Sequence, residues 1–582
     1  MMKLNWLYII IFLSRISKNE NVSLSHTLSP DIMKLKMQND VNNNTEFLAA
    51  AADFYSNEKY LRALKRLNPN ADSKSIVDRA TKKPLHEVLA ALDALDEFNL
   101  EDVQNFVDLF LHPPGVEIKA AKLTDWSDQP DILHRLQNKE LKEFFGALNR
   151  QWLDLYKAFD AEMLGPGSVS SHLPMLHPFI VPGGRFLEIY YWDTYWTVEG
   201  LLVSGMFDTV RQMIENFVNF INLYGFIPNG SRVYYLNRSQ PPYFAQIVLK
   251  YYETCLNSDK LTLHQKSLVK EFVFNEALDS LKKEYDFWMK EKLIEINFKN
   301  KTYKVNIFKA KTDKPRPESY FEDIITADFL TDDAQKGKLY QHIASGAESG
   351  HDFTSRWFQD PMKISTIEAS DIIPVDLNAI LYKTELVISK LSHLKGDLDT
   401  AKQFRNFSIE RMNTINTVLW SQENKMWNDL NINRLTAQSE HFYLSNLSPL
   451  WFGIEPPQNV SETEMIDLHI RNSIDNYNGV PFSYIYSKEQ WDFPNAWAPY
   501  QLSVVEMIYK FDEELALRMA RKFFNSVYTG WKVNDAFYEK YNSLCPGQRG
   551  AGGEYEVQSG FGWTNGVVLR LIEVFGDKLM QN

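Results

Sequence analysis

Apolar residues recur at steps of three and four along most of this chain, and that spacing leaves little room for anything but helices. Over 141–163, the positions Leu141, Phe144, Phe145, Leu148, Trp152, Leu155, Tyr156 and Phe159 fall on one helical face. Over 200–224 the same step joins Leu201, Met206, Val210, Met213, Ile214, Phe217, Val218 and Ile221. The pattern predicts further helices near 261–290, 376–394, 400–419, 500–510 and 566–575. Only 294–308, with β-branched residues around Lys301-Thr302-Tyr303, predicts a strand. The interior contains neither a linker rich in Gly, Ser or Pro nor a low-complexity segment. The reading is an all-α chain of many helices.

The segments between the helices have a different character. Pro182-Gly-Gly-Arg-Phe-Leu-Glu-Ile-Tyr-Tyr-Trp-Asp-Thr-Tyr195 mixes aromatic, charged and glycine residues. So do Glu348-Ser-Gly-His-Asp-Phe-Thr-Ser-Arg-Trp357, Gln490-Trp-Asp-Phe-Pro-Asn-Ala-Trp-Ala-Pro499 and the stretch from Gly552-Gly-Glu-Tyr555 to Gly560-Phe-Gly-Trp-Thr-Asn565. Such loops over a helical scaffold are where a site is built. They are spread from 182 to 565, so one site needs the whole chain wrapped around it. That favours one domain over 45–575, a closed ring of helices.

Composition narrows the ligand. With 75 acidic against 62 basic residues the net charge is −13, which disfavours nucleic acid as a partner. The 14 Trp and 28 Tyr serve as core, and they are also the usual platforms for sugar rings. Two cysteines, Cys255 and Cys545, allow one bridge at most and form no metal spacing. The 12 histidines show no His-x-x-x-His pairing, so neither metal nor cofactor is expected. After Lys3, positions 4–13 are mostly apolar, too short to span a bilayer, which needs about 20 residues. This predicts a signal peptide over 1–20, a poorly ordered leader over 18–44 and a secreted protein without a stable membrane anchor. Sequons at Asn21, Asn43, Asn300, Asn406, Asn446 and Asn459 are compatible with export. Oligomeric state is left open.

Breaking a glycosidic bond without a metal needs two carboxyl groups, one protonated to assist the leaving oxygen and one ionised to activate water or to attack. The loops offer Asp193, Asp352, Asp492 and Glu554, the segment Phe537-Tyr-Glu-Lys-Tyr541 adds Glu539, and side-chain chemistry alone does not choose among the five. Asp352 precedes Phe353, and an apolar neighbour raises a carboxyl pKa towards that of a general acid. The glycines at 547, 550, 552 and 553 lack the Gly-Lys-Ser/Thr of a phosphate cradle and suggest backbone brought close to a ligand.

Taken in order, these loops resemble the motifs of the trehalase family, from about residue 45 to 575. The resemblance implies an (α/α)6 barrel with a pocket at one end of the ring, and hydrolysis of the disaccharide trehalose to two glucose molecules with inversion. It implies Asp352 as general acid and Glu539 as general base. Substrate contacts are implied for Arg185, Trp192, Asp193, Asn229, Arg238, Ser239, Gln240, Arg316, Pro317, Glu318, Gly350 and Glu554. The sequons at Asn229 and Asn237, if in the pocket, should stay unglycosylated. Three positions depart from the pattern: His351 for Trp, Ala496 for Gly, and Ala551 within the glycine run. The alternatives are another inverting α-glucosidase on the same barrel and a sugar-binding homologue with weakened catalysis.

Overall fold

The computed structural model describes residues 48–457 and 460–581. The expected signal peptide, the leader and the sequons at Asn21, Asn43 and Asn459 lie outside the described residues. Six helices form an inner ring: Asp193–Val203, Phe244–Asn257, Val375–Lys395, Ser448–Phe452, Ala498–Tyr509 and Gly562–Phe575. Each packs on the next, and the last returns to the first. Outer helices alternate with them along the chain: Lys139–Leu155, Phe207–Tyr224, Leu263–Phe272 with Leu278–Glu291, Leu398–Val418, Glu462–His469 with Arg471–Asn476, and Glu513–Asn534. This is the expected (α/α)6 barrel.

Burial divides the two sets. In Asp193–Val203 every residue from Asp193 to Leu202 is buried, polar ones included, because both faces of an inner helix meet protein. Lys139–Leu155 buries Leu141, Phe144, Phe145, Leu148, Trp152 and Leu155 along one stripe, as its apolar step requires. The ring closes where Asp193–Val203 meets Gly562–Phe575. A Cβ added at Gly566 would lie 1.9 Å from the Trp196 carbonyl oxygen, and one added at Gly200 would lie 2.5 Å from the Gly566 Cα. Only glycine permits that approach.

The helix expected over 141–163 ends at Leu155. Tyr156–Phe159 is instead a strand between Ile118–Ala120 and Phe179–Ile180, partners too distant in sequence for local periodicity to register. The stretch 200–224 is two helices, an inner and an outer one, parted at Gly205 with φ +79°. The expected strand over 294–308 is a hairpin of Leu293–Phe298 and Lys301–Asn306, turning at Lys299 and Asn300 with positive φ. Both cysteines are unpaired, Cys255 buried in an inner helix. Among the described residues no helix is long and apolar enough to cross a membrane.

Candidate active site

The ring carries a pocket of about 810 Å³, including the part open to solvent, at the end where the inner helices begin. Five of the six outer sets open on a capping side chain: Asn138, Thr262, Asp397, Ser461 and Asp512. No inner helix does, and the residues in that place include Trp192, Tyr243, Trp497 and Phe561. The cap position is given over to aromatic wall, with Trp192, Trp497 and Phe561 lining the pocket.

Asp352 and Glu539 face this same pocket. Asp352 follows the helix Asp333–Glu348 and the turn at Gly350, where φ is +77° and a Cβ would stand 2.5 Å from the Trp192 ring. Phe353 and Trp357 anchor the loop in a core cluster with Trp288, Phe308 and Leu381. Burial pushes the Asp352 carboxyl up to about 7; Arg316 and Arg238 pull it down, while Glu554 pushes it up. Glu539 precedes the strand Lys540–Asn542, which pairs with Asn495–Trp497. Its Oε1 accepts from the Tyr555 hydroxyl at 2.7 Å, and its backbone oxygen accepts from Trp563 Nε1 at 2.9 Å. Burial also raises its carboxyl, against the pull of Lys540 and the Tyr555 hydrogen bond. Lys540 bridges the two loops. Its Nζ donates to Gln490 Oε1 at 2.6 Å, and Gln490 Nε2 donates to the Asp352 carbonyl.

The charged wall is cross-braced. Arg316 Nη2 lies 2.6 Å from Asp323 Oδ1 and 2.8 Å from Glu554 Oε1. Arg238 donates to Glu318 Oε1 at 2.6 Å and to Asn229 Oδ1 at 3.2 Å. Arg185 pairs with Asp72 at 2.8 Å and lies over the Tyr555 ring. Within this bracing Arg185 Nε, Arg238 Nη1 and Glu318 Oε2 are buried without a protein partner. Buried donors and acceptors left open in a pocket are the groups a hydroxyl-bearing ligand satisfies. Gln240 accepts from the Trp192 amide at 3.1 Å, and Asp193 is the first residue of its inner helix. Burial holds Asp193 well above the usual carboxylate range, and Glu539 and Asp352 add to the shift.

Of the residues implied by the resemblance, Ser239 and Pro317 do not line the pocket. The Ser239 hydroxyl donates to the Ile227 carbonyl at 2.6 Å and its amide to Glu348 at 2.9 Å, so it fixes the turn that presents Arg238 and Gln240. Pro317 opens the short turn Pro317–Ser319 that presents Glu318 and Ser319. Asp492, one of the five open carboxylates, lies outside the pocket. It accepts from Thr354 Oγ1, the Ser355 amide and Ser483 Oγ, tying two loops together. The glycine run departs from expectation too. Cβ atoms at Gly552 and Gly553 would strike Lys488 O at 2.4 Å and Gln490 Oε1 at 2.8 Å, so these glycines admit a neighbouring loop rather than a ligand.

His351 sits behind the wall, fully buried among Trp192, Trp491 and Phe482, with Nε2 at 2.8 Å from the Tyr500 hydroxyl. Burial, helped by Arg356, lowers it to about 3, so it is neutral and adds no charge beside Asp352. Ala496 is buried in the strand under the pocket, and Ala551 bonds Asn495 through its backbone. Sequence reasoning missed Asp72 and Lys74, which come from the N-terminal segment, and Tyr555, whose place next to Glu554 was its only signal.

A model of the family described as Trehalase matches residues 68–576. The chain belongs to the trehalase family. It is 35% identical over 540 residues to a trehalase of Homo sapiens, covering 91% of this chain and 90% of that one. To a trehalase of Dictyostelium discoideum it is 34% identical over 552 residues, covering 91% of each. The neutral trehalase of Saccharomyces cerevisiae superposes with a TM-score of 0.55 at 23% identity, over 69% of this chain and 74% of that chain. This last likeness speaks for the trehalase barrel fold.

Proposed function

We propose that this trehalase-family chain hydrolyses α,α-trehalose to two glucose molecules with inversion, Asp352 acting as general acid and Glu539 as general base. The observation that carries the reading is the meeting of these two buried carboxyl groups in a pocket whose open donors and acceptors await a polyhydroxylated ligand. Asp352, held up to about 7, keeps a proton for the glycosidic oxygen near neutrality. Glu539, oriented by Tyr555, takes the proton of a water attacking from the opposite face of the sugar. Arg185, Arg238, Arg316, Glu318 and Glu554 hold hydroxyls, and Trp192 closes the wall.

The test is glucose release by the purified protein from trehalose compared with maltose, followed by proton NMR. Inversion at one of two α-linked anomeric carbons releases one β- and one α-glucose. Early product that is α only, or no preference for trehalose, overturns the reading. Export is proposed with it, on the apolar run at positions 4–13. Protein from culture medium that still begins at Met1 would count against a cleaved signal peptide. Glycosylation is expected at Asn300 and Asn406, which are exposed, and not at Asn446, which is buried with Nδ2 on the Trp427 carbonyl.

A further inference from the structure

The bore of the ring opens at both ends. Where the inner helices finish, a second mouth of about 1410 Å³, including the part open to solvent, is walled by all six of them. Rings packed across the bore separate it from the first pocket: Trp192 against Trp196 at 5.4 Å, Trp196 against Tyr243 at 5.1 Å, and Tyr195 stacked on Tyr243 at 5.0 Å. Gln246, Lys250 and Glu253, at steps of four and three, turn one face of Phe244–Asn257 into this mouth.

A wall serving stability alone would be apolar, because a buried ion pair often contributes less than apolar packing of the same volume. Here Glu199, 1% exposed, stands 2.6 Å from Lys250 Nζ and 3.5 Å from Arg570 Nε. Gln246, 6% exposed, has neither amide atom bonded to protein, and Arg570 Nε has no hydrogen-bond partner. A buried amide in that state is destabilising unless something on the bore side takes its donor and acceptor. Three carboxylates stand among four cations around the mouth, so neither an anion nor a cation meets a field of one sign. Trp451 and Tyr509 add flat faces. Donors and acceptors interleaved with aromatic faces suit a ring that carries hydroxyls and C–H faces.

We propose that this second mouth is a binding site for a hexose or a short sugar, separate from the catalytic pocket. It rests on the geometry of this mouth and does not depend on the roles of Asp352 and Glu539. Equilibrium dialysis of the full chain with labelled glucose, paired with a crystal soaked in glucose, tests it. Gln246→Leu and Tyr509→Ala should each bind one equivalent fewer than the unsubstituted protein, with kcat and KM for trehalose unchanged. The soaked crystal should show the sugar against Gln246. Tyr509 is 42% exposed at the rim, so its truncation leaves the core intact should Gln246→Leu fail to fold. Equal stoichiometry in the unsubstituted protein and the folded variants, or water alone against Gln246, overturns the proposal.

Discussion

Burial raises three carboxyls in the catalytic pocket, so burial alone does not select the acid; the substrate's leaving group does. Asp193 and Asp352 are both held above the ordinary aspartate range, and Glu539 is raised as well. If Asp352 supplies the proton, Asp352→Asn should lower kcat on trehalose by about 10²–10⁴-fold. It should keep much of its activity on α-glucosyl fluoride, whose fluoride leaves with little help. Glu539→Gln should lose both substrates, because each needs an activated water. Asp193→Asn, at a carboxyl that lines the pocket where its inner helix begins, should chiefly raise KM. An Asp193→Asn enzyme with the fluoride-selective phenotype would move the acid to Asp193. The pH profile of kcat/KM should be bell-shaped. Activity falls as pH rises through about 7, where Asp352 gives up its proton, and falls on the acid side as Glu539 gains one. In Asp352→Asn with the fluoride, the alkaline limb should disappear while the acid limb stays. Aromatic-flanked loops made five carboxylates legible as candidates, and only the family resemblance singled out Asp352 and Glu539 among them. The exclusion of Asp492 was not legible, since its partners Thr354, Ser355 and Ser483 come from other loops.

At the scale of elements, the spacing of apolar residues shows where helices are but not which ring they join. Lys139–Leu155 carries a one-sided stripe that periodicity detects, whereas Asp193–Val203 is buried from Asp193 to Leu202 and its pattern runs on into the outer helix that follows. That is why 200–224 reads as one helix although Gly205 divides it. The contact closing the ring is equally silent in sequence, because a glycine in a helix reads as a weak position until its neighbour is known. Gly566→Ala tests that contact. Its new methyl would meet the Trp196 carbonyl, a rigid backbone atom. Overpacking of this kind costs typically about 1–3 kcal/mol, and the upper end is expected where backbone cannot yield. A clear fall in Tm is therefore expected, against little change for Gly146→Ala, a glycine within the helix Lys139–Leu155 whose Cβ would meet only the flexible end of the Arg150 side chain, at 3.4 Å. Equal Tm values for the two variants would show that the closing contact yields easily.

At the scale of the molecule, the pocket draws residues from positions 72 to 563, and its N-terminal contributors are tied to the barrel by buried charge. Lys74 Nζ lies 2.5 Å from Asp78 and 2.7 Å from Glu188, and Arg232 joins Glu188 to Glu117 at 3.1 and 2.9 Å. Lys74 and Glu188 are almost wholly buried, so neither charge can turn to water if its partner goes. Glu188 stands in the first motif, between Arg185 and Trp192, which makes the network a strut beneath the substrate wall. Nothing in the sequence announces it, because Lys74 reads as an ordinary solvated lysine until the fold closes over it. Removing one member of a buried ion pair typically costs about 3–5 kcal/mol, since the remaining charge is left uncompensated. Lys74→Met should therefore lower Tm markedly, whereas Lys139→Met, whose lysine is largely exposed, should leave it nearly unchanged. The two losses should also coincide. If the N-terminal segment is part of the barrel's own core, activity and helical circular dichroism of Lys74→Met should disappear in one thermal transition. An earlier loss of activity, with the helices intact, would mean that the segment melts off a barrel able to stand without it.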